Sequence, residues 1–251
     1  MSFLAALGFL TTWPVLGKRI IPDKTLGRAV VYFPLVGLVI GLVLAGAGFV
    51  INIILPRMLT SVLVIAGGLL ITGALHVDGL ADTCDAMAGN KTVEERHRIM
   101  KDSRNGAFGM AGVGVLLLAK FAALVSLPDG AWFTILILAI IISRWAMTYA
   151  IFTFPYALTS GLGVVFKKNT HWPQLLIASL IAFIIMVGLV PLVGLMGLVL
   201  WVVVWLIVFC TGVYFNHKFH GLTGDNYGAL CEISEISVLI LGVVWANLGL
   251  I

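Results

Sequence analysis

The chain has 251 residues, of which 61% are hydrophobic and only 10% are charged. A soluble domain carries roughly 25% charged residues, so this composition excludes a water-soluble globular enzyme. Of the 26 charged residues, 11 lie between Asp78 and Arg104. Because about 20 apolar residues span the hydrocarbon core of a bilayer, we predict an all-α, polytopic membrane helical bundle that forms a single domain over residues 1–251.

Seven apolar runs predict transmembrane helices, since backbone polar groups in lipid must be hydrogen-bonded within their own segment. The runs are residues 29–55, 58–77, 107–127, 131–152, 174–190, 192–212 and 233–251. The first sixteen residues are apolar but short, and they contain Pro14. We expect a short interfacial or re-entrant helix there, with an eighth span as the alternative.

The basic residues of the loops are strongly asymmetric. Twelve Lys and Arg residues lie in the loops on one side of the predicted spans, and Arg57 alone lies on the other. Cytoplasmic loops carry the excess of basic residues, so the long polar loops 78–106, 153–173 and 213–232 are predicted to face the cytoplasm. The basic excess therefore indicates membrane topology, with the lipid bilayer as a partner and no nucleic acid.

The first acidic group follows the second predicted span, in the sequence His76-Val-Asp78-Gly-Leu-Ala-Asp82-Thr-Cys-Asp85. If that span continues as a helix, the i, i+4, i+7 spacing puts the three aspartates on one stripe. Mg²⁺ relieves the repulsion within such a stripe, because it binds one or two carboxylates together with substrate phosphates. The alternative is a solvated helix end, but no basic residue interrupts the stripe before Lys91. We therefore predict metal ligands.

The second acidic group comprises Asp225, Glu232 and Glu235, before and at the start of the last predicted span. Asp225 and Glu232 are seven residues apart and share a face if both are helical. We predict that these two join the metal site, while Glu235 is left open. The alternative is simple capping, because acids in the first helical turn are favoured by the helix dipole.

The third motif, Lys101-Asp102-Ser103-Arg104, immediately precedes residues 105–109, a glycine-containing helix start. Positive charge, a hydroxyl group and N-terminal amides can together hold a phosphate. We predict that Lys101, Ser103 and Arg104 contact substrate phosphate. An ordinary basic flank of a membrane helix is the alternative.

Three further polar residues lie inside or beside the spans. An unpaired charge within a membrane is costly, so Arg144 is expected to pair with an acid of the site. Lys120 is expected to extend outward to the interface, and His76 is given a supporting or structural role.

Two carboxylate groups and a basic turn indicate phosphoryl or phosphodiester transfer, in which Mg²⁺ neutralises charge on a pyrophosphate. One alternative is a CDP-alcohol phosphotransferase, whose DxxDG pattern disagrees with the spacing here. Another is a divalent-cation transporter, for which acids near span ends are also expected. Apart from Lys120 and Arg144, however, the spans are apolar, which disfavours a transport path.

The three motifs together resemble the cobalamin (5'-phosphate) synthase family. The likeness is carried by residues 76–86, 99–106 and 221–232, and by the opening segments 9–15 and 33–37. Ala86 and Lys101 stand where members often have Gly and Arg. The resemblance implies a Mg²⁺-dependent transferase of the cell inner membrane, acting at the last stage of cobalamin nucleotide-loop assembly. It implies the joining of adenosylcobinamide-GDP to α-ribazole or its 5'-phosphate, with release of GMP.

Combining this resemblance with the residue patterns gives a set of expected roles. The α-ribazole 3'-hydroxyl is expected to attack the phosphorus that bears cobinamide. The sequence leaves open the number of metal ions and the oligomeric state, of which a homo-oligomer is one possibility. Asp82, Asp85 and Asp102 are the expected catalytic residues, with either Asp85 or Asp102 as the general base. The expected Mg²⁺ ligands are Asp78, Asp82, Asp85, Asp225 and Glu232.

Overall fold

The fold is seen in a computed structural model, which describes residues 1–17, 21–102, 104 and 106–250. Over these residues the chain is built from α-helices and contains no β-strand. The helices are α1 (Ser2–Leu10), α2 (Asp23–Ala29), α3 (Phe33–Asn52), α4 (Arg57–Thr72), α5 (Leu75–Met87), α6 (Val93–Ile99), α7 (Ala107–Ser126), α8 (Asp129–Thr153), α9 (Leu162–Asn169), α10 (Trp172–Val193), α11 (Met196–Phe219) and α12 (Gly224–Asn247). The predicted all-α polytopic bundle is confirmed.

Six helical segments of the described chain are long and apolar enough to cross a membrane, and a bent seventh consists of α4 with α5. The other six are the continuous segment Asp23–Asn52 and helices α7, α8, α10, α11 and α12. By contrast, α1 has nine residues and is about 13 Å long at 1.5 Å per residue, which is too short to span. The prediction of a short N-terminal helix is thereby confirmed.

Helix α8 forms the centre of the bundle. It is apolar around nearly its whole circumference and almost entirely buried, as expected for a helix that is hydrophobic on every face. Helices α3 and α12 pack along it, and α10 packs beside them. Helices α10 and α11 instead leave many large apolar side chains exposed, as lipid-facing helices do.

The second predicted span is broken where the sequence analysis predicts a continuous helix. Helix α4 ends at Thr72, and Gly73 (φ 60°) and Ala74 (φ 56°) both adopt the left-handed conformation. Helix α5 therefore leaves at 90° to α4. The backbone of Thr12 donates a 2.7 Å hydrogen bond to the carbonyl of Ile71, so the segment after α1 satisfies part of the open end of α4.

The last span also differs from its predicted limits. Helix α12 begins at Gly224, nine residues before the apolar run that predicts it. Asp225 consequently occupies the first turn of a spanning helix, and Glu232 and Glu235 lie two to three turns inside it. Because the helix starts earlier than predicted, Asp225 is separated along the helix axis from Glu232 and Glu235.

Candidate active site

Helix α5 presents the first acidic group. Asp78, Asp82 and Asp85 all lie within its single unbroken helix, so the predicted stripe of carboxylates is confirmed. Asp78 is exposed, and Asp82 and Asp85 are half-buried. The three charges are close enough to act on one another, so the stripe is a concentration of negative charge open to solvent on one side.

Helix α12 crosses α5 with the two backbones in contact. A Cβ atom added at Gly79 would lie 2.8 Å from the carbonyl oxygen of Asp225, and one added at Gly228 would lie 3.2 Å from Cα of His76. Only glycine permits this approach. The crossing sets Asp225 beside the stripe, where its charge acts on Asp78 and Asp82. The structure thus brings two predicted motifs together that are far apart in sequence.

Side-chain hydrogen bonds fix the register of this crossing. Thr223 and Asn226 form a reciprocal cap at the start of α12, which is the capping-box arrangement. The amide nitrogen Nδ2 of the buried Asn226 also donates a 3.2 Å hydrogen bond to Oγ1 of Thr83 on α5. Capping and helix-to-helix attachment are therefore performed by the same side chain.

The other end of α5 is joined to the start of α7 through Asp85. Its carboxylate accepts a 2.6 Å hydrogen bond from the backbone N–H of Gly106 and a 2.8 Å bond from that of Gly109. Lys91 donates a 2.8 Å bond to the backbone carbonyl of Asp85. Asp85 thus caps α7 while standing at the end of the acidic stripe.

An open groove of about 450 Å³ lies beside this junction. Asp85, Lys91, Asp102 and Arg104 line it, so the third predicted motif does meet the first. Lys101 is exposed and is not among the lining residues, and Ser103 lies outside the described residues. Lys91 is a lining residue that the sequence does not predict, because its place six residues after Asp85 follows no helical spacing.

Asp102 and Arg104 hold each other in the rim of the groove. Arg104 donates through Nε (3.0 Å) and an Nη atom (2.7 Å) to the two oxygens of Asp102. These hydrogen bonds lower the pKa of Asp102 to about 2, and they raise the pKa of Arg104. An ion-paired carboxylate of such low pKa is a weak proton acceptor, which disfavours Asp102 as the general base.

A separate ionic cluster lies inside the bundle. The ammonium group of Lys120 is 2.6 Å from both Glu232 and Glu235, and Arg144 is 3.1 Å from Glu235. The structure therefore brings Glu232 to Lys120 rather than to the aspartates. The prediction that Lys120 extends outward is wrong, because its side chain is buried against these acids. The expected pairing of Arg144 is found, with Glu235 as its acid.

The aspartates, by contrast, lack a basic partner in the part of the chain that the structure describes. Within the described chain, no Lys, Arg or His nitrogen lies within 4.0 Å of the carboxylates of Asp78, Asp82 or Asp225. Neither do any three acidic, His or Cys side chains there form a ready-made metal cage. Mg²⁺ commonly keeps several waters and uses only one or two carboxylates together with phosphate oxygens. The oxygen-only donors and uncompensated charge fit that mode of binding.

Comparison with known proteins agrees with this arrangement of motifs. The family model for cobalamin-5-phosphate synthase matches residues 2–243. The chain belongs to this synthase family. All three converging motifs of the site fall inside the matched region, so the family assignment covers the whole candidate active site and nearly the whole bundle.

Several curated relatives of this synthase-family chain are named adenosylcobinamide-GDP ribazoletransferase. The relative from Desulforamulus reducens is 37% identical over 96% of this chain and 95% of its own length. That from Roseiflexus sp. is 35% identical over 93% of this chain and 86% of its own. That from Carboxydothermus hydrogenoformans is 33% identical over 100% and 99%, respectively. No solved structure matches the chain significantly.

Proposed function

We propose that this protein joins adenosylcobinamide-GDP to α-ribazole, or to its 5'-phosphate, in a Mg²⁺-dependent reaction that releases GMP. The ribazole 3'-hydroxyl attacks the phosphorus that bears cobinamide. The bond from that phosphorus to the bridging oxygen breaks, and GMP leaves with the bridging oxygen. The product is adenosylcobalamin or its 5'-phosphate, with a new phosphodiester bond.

One observation carries this proposal. Asp78 and Asp82 of α5 meet Asp225 of α12, and Asp85, at the end of the same stripe, lines a groove that also holds Lys91 and Arg104. A pyrophosphate needs both features, a bound cation to share its charge and basic side chains to orient it. The family assignment selects the reaction from among those that this arrangement permits.

The side chains divide the work according to their contacts. Asp78 and Asp225 would hold Mg²⁺, with Asp85 at the end of the stripe, and the bound ion would neutralise charge developing on the leaving phosphate. Asp82, which is close to the carboxylates of Asp78 and Asp225, is left free to act as a base. Lys91 and Arg104 orient the phosphates from the groove.

A base must also accept the proton of the attacking hydroxyl. We assign it to Asp82, whose carboxylate has neither an N–H donor nor a cation beside it among the described residues. Asp85 and Asp102 are less suitable, because hydrogen bonds from N–H groups already occupy both carboxylates.

We further propose that the reaction takes place at the cytoplasmic face of the cell inner membrane. The basic loops of the sequence support this orientation. The groove is lined by residues from the loop 88–106, which belongs to the basic side of the chain. Both substrates are then met from the compartment where nucleotides are made.

The direct test is incubation of the purified, detergent-solubilised full chain with adenosylcobinamide-GDP, α-ribazole and Mg²⁺. We expect GMP and a cobalamin product in equal amounts, and no GMP when the metal is chelated. A parallel reaction with a CDP-alcohol substrate pair serves as the specificity control. Absence of GMP from the complete mixture, with the protein monodisperse, would contradict the proposed function.

A further inference from the structure

A second cavity, of about 270 Å³, is lined by Leu75 and His76 at the start of α5, whereas the open groove is lined by Asp85 near the end of that helix. Its walls are largely apolar and include four aromatic residues, Phe9, Tyr156, Phe166 and Tyr227. Asp225 also lines this cavity. The cavity therefore opens onto the carboxylate cluster, but its chemistry is unlike that of the basic groove.

The aromatic walls come from parts of the chain that the fold brings together. Phe9 of α1 meets Phe166 of α9 edge-on, with ring centroids 4.8 Å apart. Tyr156 and Tyr227 stack with centroids 6.1 Å apart. The backbone of Leu222 donates a 2.8 Å bond to the carbonyl of Pro155, which holds the loop of Tyr156 against the start of α12. These contacts hold the aromatic walls of the cavity in place.

Two polar side chains that line this cavity lack a hydrogen-bond partner among the described residues. Both ring nitrogens of His76 and the hydroxyl of Tyr227 are buried and make no hydrogen bond within the described chain. His76 is only 1% exposed and Tyr227 only 3%. A buried polar group left unsatisfied is costly. Both residues line the cavity, so a turn of either side chain towards it would let a ligand supply the missing hydrogen bond.

We propose that this cavity binds the base of the nucleoside substrate, a flat, mainly apolar bicyclic ring with one free nitrogen. The inference rests on the proposed function, in which the nucleoside is α-ribazole and the ring is dimethylbenzimidazole. His76 or Tyr227 donates a hydrogen bond to the free nitrogen, and the aromatic walls enclose the methyl-bearing edge. With the base in this cavity, the ribose is directed towards Asp225 and the aspartate stripe.

The other rings of the substrates fit this cavity less well. Guanine has several donors and acceptors along its edge, and burying them among aromatic and aliphatic walls would leave most of them unpaired. A corrin macrocycle with its axial ligand is much larger than the cavity. The nucleotide and the corrin are therefore assigned to the open groove side, and the cavity determines which lower base is accepted.

The first test compares His76→Phe, which keeps the ring and removes its nitrogens, with His76→Gln, which restores an amide donor. We expect His76→Phe to raise the KM for α-ribazole about tenfold, as loss of one buried hydrogen bond predicts. The KM for adenosylcobinamide-GDP should stay unchanged, and His76→Gln should recover part of the loss. His97→Phe, outside the cavity, is the matched control.

The second test narrows the mouth of the cavity without disturbing the core. Leu162 lines it and is 53% exposed, so Leu162→Trp is expected to fold. It should raise the KM for α-ribazole more than that for the riboside of unsubstituted benzimidazole, because the two methyl groups need the space. Leu118→Trp, at a lipid-facing position that is 69% exposed, is the control.

Equilibrium dialysis of α-ribazole with the full chain, without the second substrate, gives a readout independent of turnover. We expect both Leu162→Trp and His76→Phe to weaken this binding about tenfold. If the variants change the KM of both substrates equally, or leave α-ribazole binding unaltered, the cavity is not the base site, even though the wild type makes GMP. If the wild type makes no GMP, the proposed function fails instead. Should His76→Phe not fold, Leu162→Trp decides.

Discussion

Two clusters of charge in this protein share helix α12 and yet have opposite electrostatics. At its first turn, Asp225 joins the aspartates of α5, and the described chain places no cation beside them. Two turns further in, Glu232 and Glu235 are neutralised by Lys120 and Arg144. The uncompensated cluster is at the open end of the helix, where a ligand can reach it. The balanced cluster is buried, where an unpaired charge could not be tolerated.

The comparison predicts that the aspartate cluster contributes to activity and not to stability. Asp82→Asn should lower the rate of GMP release by about 10²–10³-fold, within the loss expected when a general base leaves an active site. Thermal unfolding in detergent should be unchanged or slightly shifted upwards, because a repulsion is removed. Asp23→Asn, an exposed change on α2, is the control. A wild-type rate from Asp82→Asn would refute the role of the stripe.

The buried cluster should behave in the opposite way. Lys120→Met leaves Glu232 and Glu235 without their shared partner, and removing one member of a buried ion pair costs about 3–5 kcal/mol. Denaturant unfolding of the purified protein should show this loss, whereas Lys168→Met, at an exposed position, should show none. The double variant Lys120→Met/Glu232→Gln restores the balance of charge and should recover part of the stability. No recovery would mean that packing, rather than charge, is what Lys120 provides.

Asp85 belongs to the acidic stripe and also caps α7, so its substitution should lower both activity and stability. Asp85→Asn keeps one acceptor oxygen but turns an NH₂ group towards a backbone N–H of α7, so about 1–2 kcal/mol of stability should be lost. GMP release should also fall, since the groove and the stripe meet at this residue. Unfolding and rate are measured on the same preparation. A loss of activity alone would show that the cap on α7 is unimportant.

The smallest effect is expected at Asp102. Its folded pKa of about 2 lies below the ordinary value of about 3.9, so its ion pair stabilises the protein above that value and is lost as pH falls towards 2. Between about pH 5 and 9 it stays ionised. Asp102→Asn should lower kcat/KM less than about fivefold, the range of an exposed ion pair, with the pH profile unchanged in shape. Loss of the acidic limb of that profile would identify Asp102 as the base after all.

The sequence predicts the features that depend on local periodicity. The apolar runs and the stripe on α5 both follow from spacing within one turn or a few turns. The sequence also predicts that the motifs lie close together in the fold, because their residue types suit one reaction. These are the parts of the fold in which neighbouring residues determine the structure.

What the sequence does not reveal depends on tertiary contacts. The bend before α5 needs Ala74 in a left-handed conformation, which alanine rarely adopts. The partner of Glu232 is Lys120 on another helix, whereas spacing alone points to Asp225. Lys91 reaches the groove through a loop whose path has no periodic signature. Each of these depends on where helices meet, and a single sequence does not encode that in local patterns.

The attachment of Asn226 to Thr83 spans 143 residues, and this has a consequence for biosynthesis. A ribosome makes α5 early and α12 last, so the aspartate cluster is completed only when the final helix enters the bundle. Until then Lys120 and Arg144 lie in a hydrophobic interior without the glutamates that neutralise them. A chain that stops before α12 therefore lacks Asp225 and leaves the buried charges of Lys120 and Arg144 without their glutamate partners.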